Sequence, residues 1–151
     1  MRLGRWLLVI TAVYVAAVAA SAADPDPDAD LQAVNAVCGR CHTIAVFVKK
    51  PRSWDRWNDV FEDMTKRGAN GTDEQLERVT RYFLENLTIV NVNTSAAEEL
   101  AGVLGVSDEV AQAIIARRDR QHFNSLAQLR EFPGVNPDKL EERKDRILFE
   151  P

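Results

Sequence analysis

Twice in the C-terminal part of the chain the same series of helix signals recurs. Ser95-Ala96-Ala97-Glu98 and Ser125-Leu126-Ala127-Gln128 both read as capping boxes, a hydroxyl followed three residues later by Glu or Gln. Each opens a helix that runs into a glycine turn and a fresh helix start. Val103-Leu104-Gly105-Val106-Ser107 leads into residues 108–118, and Phe132-Pro133-Gly134-Val135-Asn136 leads into residues 137–149. Asn136 is placed as an N-cap, with Pro137 at the first helical position, where its missing N–H costs nothing. Gly105 and Gly134 hold equivalent places. The pattern is an internal helix–turn–helix repeat, seen twice. No strand-like alternation of any length appears, so the predicted fold class is all-α.

The chain upstream has helical periodicity of its own. Leu31, Val34 and Val37 share a face. After Pro51, Ser53 caps a stretch in which Trp54, Trp57, Phe61 and Met64 recur at three- and four-residue steps, ending at Gly68. Thr72-Asp73-Glu74-Gln75 is a third capping box, and its helix carries Leu76, Val79, Phe83 and Leu87. These patterns divide the chain into a first unit, residues 31–88, and a second, residues 89–151. Residues 24–30, DPDPDAD, read as a disordered acidic lead-in.

The N-terminus reads as a cleaved secretory signal over residues 1–23. Arg2 and Arg5 precede an apolar run from Trp6 to Ala20, and small residues follow at Ala20-Ser21-Ala22-Ala23. The run is short for a membrane span, which takes about 20 apolar residues. The expectation is therefore a periplasmic protein with no stable membrane span once the signal is removed. Loss of a segment with two arginines and no acid moves the net charge from −4 to −6. An acidic chain is a poor general ligand for polyanions.

Both cysteines of the chain fall in one motif, Cys38-Gly39-Arg40-Cys41-His42. An exported protein oxidises such a pair or uses it to hold a cofactor. Cys-x-x-Cys-His is the attachment signal for haem c. Two thiols, spaced by one turn, add to the porphyrin vinyl groups, and the adjacent histidine reaches the iron. A zinc site needs two further ligands, yet only His122 remains in the Cys/His pool. A thioredoxin-like pair needs a preceding strand. The expectation is one covalently bound haem c per chain, on Cys38 and Cys41, with His42 as proximal iron ligand. The distal ligand is Met64 or His122, since iron of this type takes Met or His there. Met64 lies on the apolar face of the tryptophan-bearing helix and is preferred over His122, which sits in a polar link. Lys49, Lys50 and Arg52 form a basic run, read as a solvated loop in preference to a docking patch or a propionate partner.

Cys38–His42, Arg52-Ser53-Trp54 with Trp57, Met64, Gly68-Ala69, and the Thr72–Gln75 box whose helix reaches Tyr82-Phe83-Leu84 together resemble small class I monohaem cytochromes c. The resemblance is closest to haem domains that serve periplasmic dehydrogenases, and it covers about residues 31–87. It implies a cytochrome c fold with His42 and Met64 as axial ligands. Residues 89–149, with Asn91–Leu100 and the two glycine turns, resemble the helix-hairpin-helix domain of the competence protein ComEA. That resemblance implies DNA phosphate contacts from Gly105, Val106 and Ser107 and from Gly134, Val135 and Asn136, because helix N-termini can hold phosphate; on charge the second hairpin, with Lys139 beside Asp138, is the better candidate of the two. The family pattern has a second glycine two residues after the first, where this chain has Ser107 and Asn136. Residues 89–151 carry eight Lys/Arg against eleven Asp/Glu, with Asp108 and Glu109 at the start of the first hairpin's second helix. Arg117, Arg118 and Arg120 read either as a basic patch or as complements to a helix end.

The function expected from the sequence is one-electron transfer between redox proteins, with the second unit docking a partner and no enzymatic chemistry. The alternatives are a ComEA-like DNA-binding or uptake protein carrying a haem module, and the electron-accepting subunit of a periplasmic dehydrogenase. DNA is ranked behind a redox partner because of the charge.

Overall fold

A computed structural model describes residues 26–151; the signal segment and the first two residues of the lead-in lie outside the described residues. Helix α1, Pro27–Cys38, begins earlier than the apolar spacing suggests. Asp26 is its N-cap, its carboxylate accepting from the N–H groups of Asp28 and Ala29, and Pro27 fits the first turn. Asp30 is 2% exposed. Its carboxylate accepts from Arg81 Nε at 2.7 Å and Nη2 at 2.6 Å, and Arg78 Nη1 lies 3.4 Å away. Residues 26–30 are therefore a docked helix start and not a lead-in. The Asp30 charge, which looks solvated in sequence, is neutralised by two arginines of a distant helix.

Helix α2 is Trp54–Lys66 and α3 is Asp73–Leu87, the latter opened by the Thr72/Gln75 capping box. The first core is Ala33, Val34 and Val37 of α1 with Trp57, Val79, Phe83 and Leu87. Trp57 is 1% exposed, and its indole N–H donates to the Leu87 carbonyl at 2.9 Å, so its one polar atom is paired.

The second unit comprises α4 (Ala97–Leu104), α5 (Asp108–Arg118), α6 (Leu126–Arg130) and α7 (Pro137–Arg143). The predicted box at Ser95 and Glu98 is shifted by one. Ala96 is the N-cap position, Glu99 accepts from its N–H at 3.4 Å, and Ser95 Oγ accepts from the N–H of Asn91. Helix α7 is shorter than its sequence pattern. It passes into a 3-10 turn, Lys144–Arg146, and a two-residue strand β2, Ile147–Leu148, which pairs in parallel with β1, Val90–Asn91. A further parallel bridge joins Arg52 to Thr88. The chain is thus mostly helical, and these short pairings are the exception to the all-α expectation. Two-residue strands are too short to show a period of two in sequence.

The second core gathers Val90, Val92, Leu100, Val103, Leu104, Ala111, Ile114, Phe123, Leu129, Val135, Leu140 and Ile147. Asn93, 8% exposed, sits beside it with its side-chain amide paired to both backbone groups of Phe123: Nδ2 donates to the carbonyl at 2.8 Å and Oδ1 accepts from the N–H at 2.9 Å. The two units meet across α3, where Leu84 packs against Gly102 of α4. There Arg146 donates to the Thr88 carbonyl at 2.8 Å and the Glu85 carbonyl at 2.7 Å. Burial and the neighbouring Arg143 guanidinium push the Arg146 pKa down to about 10, which still leaves it charged at neutral pH. Among the described residues no helix is long and apolar enough to cross a membrane.

Candidate functional site

Two places in the fold gather the residues singled out above. The first is an open cavity of about 610 Å³ in the first unit, on whose wall Cys38, Cys41, His42 and Met64 all stand. Its remaining lining is mainly apolar, with Arg52 and Arg67 contributing guanidinium groups. Leu76, 43% exposed, belongs to this wall, which explains why a residue on the predicted apolar stripe of α3 is not in the core. Cys41 and His42 are exposed and Cys38 is half-buried; burial pushes the Cys38 thiol up. The His42 Nδ1 lies 3.3 Å from the Thr43 carbonyl oxygen. His122 is exposed in the other unit and does not line the cavity. In the basic run, Lys49 and Lys50 are exposed, while the Arg52 guanidinium lies 5.5 Å from the Trp57 ring centroid.

The second place is the pair of glycine hairpins. Gly105 has φ +64° and ψ +40°, and Gly134 has φ +86°. Both are in the left-handed region that favours glycine. The next helices start directly after them. Ser107 Oγ accepts from the Val110 N–H, and Asn136 Oδ1 accepts from the N–H groups of Asp138 and Lys139. So Ser107 and Asn136, which replace the second glycines, act as N-caps. Val106 is half-buried and Val135 buried, fixing each turn to the core.

The hairpins are packed face to face, and each glycine meets the other hairpin's helix. A Cβ on Gly134 would lie 2.6 Å from Val110 Cγ2 of α5. A Cβ on Gly105 would lie 3.0 Å from Lys139 Cδ and 3.3 Å from Lys139 Nζ, both of α7. Lys139 was expected to serve the second hairpin; its ammonium in fact stands over the first. Behind it Arg143 Nη1 donates to the carbonyls of Gly102 and Val103 at 2.9 and 2.8 Å, so this cation caps the end of α4. Sequence reasoning missed Arg143 and Val110, whose roles come only from the packing of α5 against α7.

The local charges are mixed. Glu109 is fully exposed, and its pKa is lowered first by a hydrogen bond from the Ser107 hydroxyl and then by its own backbone N–H. Of the three expected basic-patch arginines, Arg118 donates to the Val92 and Ser95 carbonyls. Arg117 bonds to the Gln121 carbonyl and lies over the Phe123 ring, and Arg120 donates to Ala116 O. Arg120 thus pairs with an α5 carbonyl, Arg118 ties α5 to the segment before α4, and Arg117 holds the link that follows α5, so all three are engaged within the fold.

Comparison with known proteins fits this geometry. Residues 85–148 match the family model for the helix-hairpin-helix motif. The matched stretch runs from inside α3 through the second unit to β2. An uncharacterized protein of Haemophilus influenzae (strain ATCC 51907 / DSM 11121 / KW20 / Rd) is 36% identical over 62 residues, 40% of this chain and 55% of that protein. ComE operon protein 1 of Bacillus subtilis (strain 168) is 35% identical over 60 residues, 39% of this chain and 29% of its own length. The chain thus spans about half the length of one relative and under a third of the other. No solved structure matches the chain.

These findings overturn the leading expectation. The relationship found is to the helix-hairpin-helix motif and a ComE operon protein, and not to a cytochrome. One-electron transfer as the function and haem c as the cofactor are corrected on that ground, and a redox protein as the partner is left without support. The cytochrome c fold expected for residues 31–88 is left without support. Among the described residues no three His, Cys, Asp or Glu side chains are grouped to hold an ion.

Proposed function

We propose that this is an exported, ComEA-like DNA-binding protein whose helix-hairpin-helix domain grips the phosphate backbone without enzymatic chemistry. The observation that carries the reading is the Lys139 ammonium beside Gly105, between two glycine turns that each open a helix. Backbone N–H groups at such turns, with a cation alongside, suit a phosphate better than a base edge, so the contact is independent of sequence. Gly105, Val106 and Ser107 form one arm of the site and Gly134, Val135 and Asn136 the other, with Lys139 reaching between them. The domain's net negative charge does not oppose this directly, because phosphate binding depends on the field at the contact and exposed charges beyond about 10 Å are screened.

Export rests on the basic, apolar and small-residue order of residues 1–23, and the proposed location is the periplasm. The binding test is fluorescence anisotropy with short duplexes of unrelated sequence over a salt series. Binding should be alike for all duplexes and weaken as salt rises. Lys139→Glu should weaken it at least tenfold and flatten the salt slope by about one phosphate equivalent. Absence of binding by the wild-type chain at low salt sinks the proposal.

A further inference from the structure

The helix-hairpin-helix domain leaves the cavity of the first unit without a role, and with it the two cysteines. Both are free thiols on that cavity's wall. Cys38 ends α1, and Gly39, still in a right-handed helical conformation, opens the turn that carries Cys41. Residues three apart on such a turn have Cβ atoms about 5–6 Å apart, and a disulfide needs roughly 3.5–4.5 Å, so closure requires a shift of about 1–2 Å.

Between them stands Gly39. The turn is so tight there that a Cβ would lie 2.5 Å from the Asn35 carbonyl oxygen. Arg40, the other intervening residue, is tied by its guanidinium to Asn70 Oδ1 at 3.1 Å, and Asn70 Nδ2 in turn donates to the Gly68 carbonyl. The turn is therefore pinned on its outer side, while the sulfur side faces open space. Few packed atoms stand in the way of closure. The two thiols also differ in access, Cys41 being exposed and Cys38 half-buried.

We propose that Cys38 and Cys41 are a reversible dithiol–disulfide pair, oxidised by thiol–disulfide exchange with a disulfide-bearing molecule that reaches the cavity mouth. The Cys41 thiolate attacks one sulfur of the incoming disulfide, breaking its S–S bond, forming a mixed disulfide and expelling one thiolate. The Cys38 thiolate then attacks Cys41 Sγ, forming the intrachain bond and expelling the second thiolate. Two electrons pass from the chain to the oxidant, and the two protons given up by the chain's thiols are taken by the expelled thiolates. Closing the bond draws the start of the Cys41–His42 segment toward α1 and so changes the cavity wall. In the cell this chemistry rests on the exported location proposed above, where disulfides persist. The assay below tests the pair alone, and cell fractionation tests the location.

The full chain is incubated with oxidised glutathione, quenched with iodoacetamide and weighed by mass spectrometry. The expected product has lost two hydrogens, carries no glutathione and takes no alkyl label; excess dithiothreitol restores two labelled sites. Cys38→Ser should trap a glutathione adduct on Cys41 at least tenfold faster than Cys41→Ser traps one on Cys38. Thiols that stay fully alkylatable, a wild-type product with glutathione on both sulfurs, or equal trapping rates overturn the proposal. So does chain from its native source bearing a group joined to both sulfurs that dithiothreitol does not remove.

Discussion

Gly134→Ala should be much more damaging than Gly105→Ala, although the two glycines hold equivalent places in the repeat. Both alanines incur the left-handed backbone cost of about 1–2 kcal/mol, partly offset by about 0.4–1 kcal/mol from a stiffer unfolded chain. The difference lies in what the new Cβ meets. At Gly105 the nearest atoms belong to the ends of Lys139 and Arg143, and the exposed Lys139 can swing aside. At Gly134 the Cβ would lie 2.6 Å from Cγ2 of Val110, and a β-branched side chain in a helix has one strongly preferred χ1. That contact adds an overpacking cost of about 1–3 kcal/mol. Gly134→Ala is therefore expected to lose roughly 2–4 kcal/mol in urea unfolding, against about 1 kcal/mol for Gly105→Ala. A double-mutant cycle isolates the clash. Val110→Ala removes the colliding methyl, so Gly134→Ala in that background should cost about 1–2 kcal/mol less than in the wild type. Equal losses for the two glycines, or a cycle with no coupling, would show that the two hairpins are not packed as described.

Asn93→Ala should destabilise the second unit by about 2–3 kcal/mol, since it strands the N–H and carbonyl of the buried Phe123 together; hydrogen exchange at Phe123 should quicken, and unchanged protection would contradict the pairing. Asp30→Asn should cost about 2 kcal/mol, below the 3–5 kcal/mol of a wholly buried pair because Arg78 and Arg81 keep 31% and 29% of their side chains exposed. Its signature in chemical denaturation is early release of α1 from α3, and a variant as stable as wild type would refute the docking of that helix start.

Much of the second unit was legible because its signals are local. A left-handed glycine, an N-cap and a proline in the first turn each act within a few residues, so Gly105, Ser107, Gly134, Asn136 and Pro137 could be placed before any packing was known. What could not be read is tertiary. Asp30 looks like part of a solvated acidic run until Arg78 and Arg81 are brought to it. The box at Ser95 slipped by one residue because the Ser95 hydroxyl is taken by Asn91. Lys139 changed hairpins because α7 crosses behind the first turn, a fact with no trace in a seven-residue window. The Cys38–His42 motif shows the opposite limit. Its residues do converge with Met64 on one cavity, yet the comparisons place the chain's recognisable kinship in the other unit. Local chemistry located the residues without fixing what they are for.

Helix α3 decides how separable the two units are. Its Val79, Phe83 and Leu87 belong to the first core, while Leu84 faces Gly102 of the second unit, and Arg146 holds the carbonyls at its C-terminal end. The helix-hairpin-helix match begins at residue 85, inside this helix, so a cut placed at the sequence boundary after residue 88 severs a built contact. In a fragment of residues 89–151 the Arg146 guanidinium would return to water and the Gly102 face of α4 would be uncovered. Re-solvation replaces the lost partners, so the expected loss is moderate, about 1–3 kcal/mol for two charge-assisted hydrogen bonds. A fragment of residues 73–151, which keeps α3, should recover most of it, whereas Arg146→Ala in that longer fragment should remove the recovery again. Thermal unfolding of the three fragments side by side gives the answer. If residues 89–151 melt as high as residues 73–151, the helix is only a tether and the units are independent.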